Sequence, residues 1–284
     1  MPLLGLIGDP ISHSVSPLIH TLTARRLGLD LSYVTVHVRS SGAVGSVMRA
    51  LHELGFAGLN VTIPYKEEAA KHAVSLSEDS ALIGAVNALK RSDDGWEGHN
   101  TDYVAIREAV AERSIGSGFD ALVIGAGGSA RAAVAALIAL GAGSVSIANR
   151  TLAKAQELVE RFRTLGESRL AAVPLEKAKE AAKGSQVVVN TIPVGLVEGA
   201  ELPIGPEDLK DGALLVDLVY GPRGSPMSRL ASARGLELVD GVEVLARQAA
   251  ASFRLWTGAE VGYKWMEAIG RFALRRSVGW ERSH

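Results

Sequence analysis

A short apolar run that breaks into a glycine-rich turn constrains the fold of this 284-residue chain more than any other feature. The run from Ala121 to Ile124 leads into Gly125-Ala126-Gly127-Gly128-Ser129-Ala130 and then into an alanine-rich stretch. This order of strand, tight turn and helix is typical of a βαβ unit that binds a dinucleotide. Gly125 permits the turn, Gly127 lets the backbone approach a pyrophosphate, and Ala130 allows the helix to pack closely on the strand. The sequence therefore predicts phosphates bound by free N–H groups at the start of this helix.

The residues that end the next strand indicate which dinucleotide binds. A site for NAD usually places Asp or Glu about 20 residues after the glycine turn, where the carboxylate accepts hydrogen bonds from a ribose hydroxyl. Here the strand from Ser144 to Ala148 ends in Asn149-Arg150-Thr151, and Lys154 follows one turn later. Two cations and two neutral donors suit a ribose 2′-phosphate, so we predict NADP as the cofactor. Asn149 and Thr151 are also compatible with an ordinary turn.

Composition and charge exclude several classes of protein. Hydrophobic residues make up 47% of the chain and charged residues 21%, which suits a globular protein with room for two domains. The formal net charge of −1 provides no field that would favour nucleic acid or an anionic membrane. The chain contains no cysteine, which excludes a thiol nucleophile and fits a reducing cytoplasm. We expect a cytoplasmic monomer or homodimer that acts on a small molecule, without a metal and without a nucleic-acid or membrane partner.

Alternating apolar patches predict two α/β domains. The first hundred residues have the pattern βαβαβ followed by a hairpin, and Gly116-Ser117-Gly118 is a natural hinge. From Phe119 onward, strands alternate with helices, which predicts a doubly wound, Rossmann-like sheet. We expect a substrate-binding catalytic domain at 1–115 and a dinucleotide-binding domain at 116–242. Helices at 243–284 are expected to pack back on the first domain and complete it.

Lys66 and Asp102 are the candidate acid–base groups. Lys66 follows Pro64, which ends a strand, and it opens a helix whose N-terminal end disfavours additional positive charge. Taken alone, Lys66 is compatible with an exposed first-turn lysine, and Asp102 is compatible with a helix cap. Taken together, they form a candidate couple in which the carboxylate holds the ammonium group and shares in its proton exchange.

Two hydroxyls at alternate positions, Ser14 and Ser16, are able to hold a small carboxylate at the start of a helix. The same residues, with Pro17 in the first turn, fit an ordinary capped helix start equally well. His13 and His99 are alternative proton carriers. Neither has a recognisable partner in the sequence, so both rank below Lys66. No spacing of His, Asp or Glu indicates a metal site.

The order of these segments along nearly the whole chain resembles the shikimate dehydrogenase family, whose members reduce 3-dehydroshikimate to shikimate with NADPH. The segments that carry the resemblance are Ser14 to Ser16, Asn60 to Lys66, Gly84 to Asn87, Asn100 to Asp102, Asp217 to Tyr220 and Arg247 to Ala250. The resemblance implies that Lys66 and Asp102 are catalytic. It implies substrate contacts from Ser14, Ser16, Thr62, Lys66, Asn87, Asp102, Tyr220 and Gln248.

The resemblance also implies where the cofactor is bound. The implied contacts are the turn from Gly125 to Ala130, the segment Asn149 to Lys154, Thr191, Leu218 and Gly241, with a weaker match at Glu78. The family further implies that the two domains close over the substrate, which would expel water and align the reactants.

Some positions depart from the family pattern and leave two alternatives open. Glu243-Val244 replaces a usual Gly-Met, Ala88 follows Asn87 where Thr is usual, and Ala105 replaces a common Gly. These changes leave room for a quinate/shikimate dehydrogenase of relaxed specificity, although an NAD-using relative would normally have an acid near Asn149. A non-catalytic sensor of NADP or shikimate is the other alternative, and the retention of Lys66 and Asp102 argues against it.

Overall fold

Two six-stranded sheets organise the computed structural model, which describes residues 2–12, 14–194 and 201–281. The chain divides into two units, Met1–Asp102 with Ala246–His284, and Tyr103–Leu245. The α/β class, the doubly wound sheet and the return of the C-terminal helices to the first domain are confirmed. The domain limits proposed at 115/116 and 242/243 remain predictions.

The first unit contains a mixed sheet. Its strands are β1 (Leu3–Gly8), β2 (Ser32–His37), β3 (Phe56–Val61), β4 (Ser75–Leu76), β5 (Ala88–Arg91) and β6 (Trp96–His99). Its helices from the first part of the chain are α1 (Ser16–Arg26), α2 (Val44–Glu53), α3 (Lys66–His72) and α4 (Glu78–Ile83), and α5 (Thr101–Ala111) begins in it. The strand order is β2-β1-β3-β5-β6-β4; β1, β2 and β3 are parallel, and β5 is antiparallel to both β3 and β6.

The second unit contains a fully parallel sheet. Its strands are β7 (Asp120–Ile124), β8 (Ser144–Asn149), β9 (Arg169–Pro174), β10 (Val187–Asn190), β11 (Leu214–Asp217) and β12 (Leu238–Val239). Its helices are α6 (Gly128–Ala139), α7 (Leu152–Phe162), α8 (Ala178–Gly184) and α9 (Pro226–Arg234). The chain continues into α10 (Gly241–Thr257) and α11 (Tyr263–Glu281). The strand order is β12-β11-β10-β7-β8-β9. Successive strands are added on one side of β7 and then on the other, and such sheets bind ligands at this switch point between β7 and β10.

A tryptophan anchors α10 on the first sheet. A Cβ atom at Gly58 would clash with the indole of Trp256, so β3 needs a glycine where the ring crosses it. The indole Nε1 of Trp256 donates a hydrogen bond to the backbone oxygen of Leu89, at 2.9 Å. The other face of the sheet packs a separate apolar cluster that includes Ile7 and Trp96. Burial on both faces explains why the central strands β1 and β3 are buried along most of their length.

The segment from Ser75 to Gly84 carries no clear pattern in the sequence, yet it forms β4 and α4. The hydroxyl oxygen of Ser77 accepts a hydrogen bond from the backbone N–H of Ser80, and Gly84 ends the helix in the left-handed region at φ 69°. Both are recognisable helix-end signals, but a helix this short has too few residues to show a periodic pattern. None of the helices in the described segments is both long enough and apolar enough to cross a membrane.

An uncharged histidine lies in the core of the first unit. His20 is fully buried, and neither ring nitrogen has a hydrogen-bond partner among the described residues. Its ring stacks on Tyr33, with centroids 4.5 Å apart, and faces Phe253 at 6.0 Å. Desolvation lowers the pKa of His20 to about 3, so the imidazole is neutral in the folded protein at neutral pH.

His20 should make the fold sensitive to acid. Its pKa is lower in the folded state than in the unfolded state, so its contribution to stability is complete above about pH 6.5 and is lost as the pH falls towards 3. At pH 5 the loss amounts to about 2 kcal/mol. We predict that His20→Leu, which removes the titrating ring, reduces the change in unfolding free energy between pH 8 and pH 5 by about that amount. Urea titrations at both pH values test this, and an equal change in the variant and the wild type would contradict it.

Candidate active site

Strand direction brings the predicted substrate-binding segments of the first unit to one edge of its sheet. β1 and β3 are parallel, so the residues that follow them, including Ser14 and Thr62, leave from the same edge. β5 is antiparallel to β3 and starts at that edge, where Asn87 precedes it. β6 ends beside the start of β5, since His99 pairs with Ala88, and Asp102 follows there. The topology therefore gathers residues from four separate segments.

Lys66 and Asp102 form an ion pair at this edge. The Nζ atom of Lys66 donates to Oδ2 of Asp102 at 2.5 Å. The two side chains are only 12% and 9% exposed, so water screens their attraction little. Lys66 is the first residue of α3 and Asp102 is the second residue of α5. Asp102 accepts bonds from side chains instead of capping its helix.

Asn87 holds the other oxygen of this carboxylate. Its Nδ2 donates to Oδ1 of Asp102 at 2.8 Å and to Oε1 of Gln248 at 3.3 Å. Its Oδ1 accepts from the backbone N–H of Thr101 at 2.6 Å. Because a backbone N–H can only donate, this contact determines which way round the amide lies. Gln248, on α10, is 9% exposed and thus completes the cluster from the C-terminal part of the chain.

The predicted hydroxyl groups lie at the start of α1 and the end of β3. Ser14 Oγ accepts from the backbone N–H of Ser16 at 3.3 Å. Ser16 was considered as a helix cap, but it is the first residue of α1, and Val15 occupies the cap position without a side-chain bond. Thr62 directly follows β3, and its N–H donates to the backbone oxygen of Ile7 at 2.9 Å. Ser14 therefore accepts a bond from the first N–H group of α1, whereas Ser16 does not cap the helix.

His13 and His99 are the alternative proton carriers predicted from the sequence. His13 lies outside the described residues. His99 Nε2 is buried without a hydrogen-bond partner in the described part of the chain, and burial lowers the pKa of the ring. The ring of His99 is thus kept neutral at neutral pH, whereas the charged pair is formed by Lys66 and Asp102.

The glycine turn of the second unit leaves the start of α6 open. Gly125 has φ 115°, and a Cβ atom there would clash with Oγ1 of Thr191, which donates to the backbone oxygen of Ile124 at 2.7 Å. Gly127 is exposed and caps α6 without a side-chain bond, and a Cβ at Gly127 would meet nothing within 4 Å. The first N–H groups of a helix lack partners within the helix. The turn therefore suits a phosphate group, as a dinucleotide site requires.

Exposed cations follow β8. Asn149 ends the strand, and its Nδ2 donates to the backbone oxygen of Thr151 at 2.8 Å, which is the turn contact considered as an alternative. Arg150 and Lys154 are exposed, and within the described segments no hydrogen bond or ion pair links either side chain to an acidic group. Unpaired cations at this strand end fit the extra phosphate of NADP.

Leu218 and Gly241 lie near the ends of two adjacent strands. Leu218 follows β11, and its N–H donates to the backbone oxygen of Asn190 at 3.0 Å. A Cβ at Gly241 would clash with the backbone oxygen of Val219, so α10 starts too close to that segment for a larger residue. Tyr220 follows in the same segment of the second unit. Glu78, the remaining predicted cofactor contact, is the exposed first residue of α4 in the first unit.

The unusual Glu243 has a structural partner. Both of its carboxylate oxygens accept from Arg113, at 2.9 Å each, and its side chain is 7% exposed. Arg113 also donates to Glu237 at 3.1 Å. These carboxylates raise the pKa of Arg113 further above its usual range. Glu243 is thus neutralised by a bidentate ion pair, which accounts for an acid at a position where the family usually has glycine.

Sequence reasoning missed three buried polar side chains beside the cluster. Asn60 and Thr101 lie inside motifs that were recognised, but no role was given to them. Ser252 carries no sequence signal, because a serine on a helix is common and its neighbours in space are far away in the chain. No group of three or more His, Asp or Glu side chains in the described segments is arranged to hold a metal ion.

Comparisons with known proteins agree with these features. The Shikimate dehydrogenase substrate binding domain matches residues 6–89, Shikimate / quinate 5-dehydrogenase matches 109–220, and the Shikimate 5′-dehydrogenase C-terminal domain matches 241–268. A shikimate dehydrogenase (NADP(+)) of Anaeromyxobacter sp. (strain K) is 39% identical over 256 residues, which cover 90% of this chain and 91% of that protein.

Solved structures give the same result. Shikimate 5-dehydrogenase of Thermus thermophilus, in complex with NADP(H) and shikimate, superposes with a TM-score of 0.84 at 35% identity, covering 96% of this chain and 100% of the other. Quinate dehydrogenase of Corynebacterium glutamicum, in complex with NAD, gives a TM-score of 0.85 at 28% identity, covering 94% and 98%. The resemblance inferred from the motifs is thereby confirmed, and this chain belongs to the shikimate dehydrogenase family.

Proposed function

We propose that this protein is an NADP-dependent shikimate dehydrogenase, which reduces 3-dehydroshikimate to shikimate reversibly in the biosynthesis of chorismate and aromatic amino acids. The observation that carries the proposal is the shielded pair of Lys66 and Asp102 at the edge of the first sheet. An ammonium group held by a carboxylate is suited to exchange a proton with a substrate oxygen.

The remaining polar groups at this edge fit the substrate. Shikimate is a small acid with three hydroxyl groups, so it needs donors for its carboxylate and mixed donors and acceptors for its ring. Ser14 and Ser16 bind the carboxylate in this proposal. The ring hydroxyls contact Thr62, Asn87, Asp102 and Gln248 in this proposal, and Tyr220 remains a substrate contact implied by the resemblance.

The chain's own residues carry the proton chemistry. NADPH, when bound, supplies a hydride to the carbonyl carbon, which leaves negative charge on the carbonyl oxygen. Lys66 stabilises that charge as a cation and then transfers a proton from Nζ to the oxygen. Asp102 keeps the lysine directed at that oxygen and stabilises its charged form. In the oxidation of shikimate, neutral Lys66 accepts the hydroxyl proton instead.

The second unit supplies the groups that a dinucleotide phosphate requires. The uncapped N-terminus of α6 and the exposed Gly127 leave room for a pyrophosphate. Arg150 and Lys154 bind the 2′-phosphate, and the absence of an acid at Asn149 disfavours NAD. We propose that the protein works in the cytoplasm on small molecules only, in line with its net charge of −1 and lack of cysteine.

Lys66→Met should reduce kcat for shikimate oxidation by about 100-fold to 10,000-fold, because the proton acceptor is lost. Lys71→Met is the matched control, since Lys71 lies on the same helix with its side chain 69% exposed. Absorbance at the NADPH band measures both rates. A Lys66→Met enzyme with wild-type turnover would remove Lys66 from the mechanism.

Quinate in place of shikimate tests the breadth of substrate use in the same assay.

Arg150→Ala should raise the KM for NADP about 10-fold to 100-fold, which is the effect expected when one charge-assisted hydrogen bond is lost. The KM for NAD should stay unchanged, since NAD has no 2′-phosphate. Arg163→Ala, at the far end of α7, is the control for the loss of an exposed arginine. Equal effects of Arg150→Ala on the two cofactors would show that Arg150 does not contact the 2′-phosphate.

A further inference from the structure

A chain of buried hydrogen bonds runs from the core of the first unit to the carboxylate of Asp102. Its members come from five separate segments: Tyr33 on β2, Asn60 on β3, Ser252 on α10, Thr101 at the start of α5, and Asn87 before β5. Ser252 is fully buried, and its hydroxyl joins the half of the chain on β2 and β3 to the half beside Asp102.

The direction of the first half follows from two contacts. The hydroxyl of Tyr33 donates to Oδ1 of Asn60 at 2.8 Å. The Nδ2 atom of Asn60 donates to the backbone oxygen of Asn87 at 3.0 Å, and a carbonyl oxygen can only accept. The amide of Asn60 is therefore oriented without ambiguity. Its second Nδ2 hydrogen points to Oγ of Ser252 at 3.1 Å, so Ser252 is an acceptor there.

The direction of the second half follows from Thr101. Its Oγ1 donates to Oδ1 of Asn87 at 3.1 Å or to Oε1 of Gln248 at 3.3 Å, which uses its single hydrogen. The hydrogen in the 3.0 Å contact between Ser252 Oγ and Thr101 Oγ1 therefore comes from Ser252. Asn87 Oδ1 also accepts from the backbone N–H of Thr101, which leaves Nδ2 of Asn87 directed at Asp102.

We propose that Ser252 is a positioning residue for the acid–base pair and that it acts through Thr101 and Asn87. Ser252 directs the Thr101 hydroxyl towards the oxygen atoms of Asn87 and Gln248. That contact keeps the Asn87 amide against Asp102, and Asp102 in turn holds Lys66. The proposal rests on the proposed function, because it assigns Ser252 to the same proton exchange.

The chain orients groups and does not conduct protons. A proton relay needs a group at each step that can both accept and release a proton, and the amides of Asn60 and Asn87 interrupt the hydroxyls. The hydrogen-bond chain orients these groups because each of its buried donors and acceptors has a partner. Removing the Ser252 hydroxyl leaves a buried donor on Asn60 and a buried acceptor on Thr101 without partners, and such groups reorient or admit water.

Steady-state oxidation of shikimate by the full chain, far below its melting temperature, tests the proposal. We expect Ser252→Ala and Thr101→Val each to lower kcat about tenfold, as one lost orienting hydrogen bond would. Thr101→Ser keeps the hydroxyl and should retain most of the wild-type kcat. The double variant Ser252→Ala with Thr101→Val should be no slower than Thr101→Val alone, since both changes break the same connection.

The control is Thr23→Val, which removes another fully buried threonine hydroxyl, one that donates to the backbone oxygen of Ile19 at 2.7 Å. It should lower the melting temperature without changing kcat.

A wild-type kcat in Ser252→Ala, or a drop in Thr101→Ser equal to that in Thr101→Val, would overturn the positioning role. If Ser252→Ala does not fold, the two Thr101 variants decide the question. A wild-type chain that fails to oxidise shikimate would overturn the proposed function and this role with it, whereas an active wild type with unaffected variants overturns the role alone.

Discussion

The shielded ion pair of Lys66 and Asp102 determines what the rest of the first unit must provide. Removing a charged group from water costs several kcal/mol unless other groups replace its hydration. Each oxygen of Asp102 accordingly accepts a hydrogen bond, one from Lys66 and one from Asn87. Asn87 then needs an acceptor and donors of its own, which the backbone of Thr101 and the side chain of Gln248 supply. In the polar cluster, each group therefore requires a hydrogen-bond partner in turn, starting from the buried carboxylate of Asp102.

Both units use the ends of strands to assemble chemistry, but they do so in different ways. In the second unit, parallel strands direct their carboxyl ends to one edge, and backbone groups at that edge are left open to a ligand, as at Gly127. In the first unit, the antiparallel pair β5 and β6 turns back beside β3, so the start of one strand and the end of another meet the parallel ends. Side chains dominate there. This difference fits the proposal that the second unit binds phosphates through N–H groups and that the first exchanges protons.

The sequence allowed a correct prediction of the fold class and family, because glycine turns, apolar runs and the Asn60 to Lys66 segment are local signals. It also pointed to Lys66 and Asp102 as a pair, and the structure places their side-chain atoms 2.5 Å apart, while their catalytic roles remain a proposal. The pairing of Glu243 with Arg113 could not be read from the sequence, because 130 residues separate the partners. Ser252 was missed for the same physical reason, since its value depends on neighbours that are far away along the chain.

The position of Trp256 over Gly58 has a consequence for how the first sheet folds during synthesis. The ribosome releases the first sheet long before the helix that carries the indole, and the whole dinucleotide unit is synthesised between them. Until that helix arrives, one face of the nascent sheet lacks its apolar cover, and such surfaces are prone to non-native association. Gln248 and Ser252 travel on the same helix. The edge that carries Lys66 and Asp102 is thus completed late, when this helix packs against the sheet.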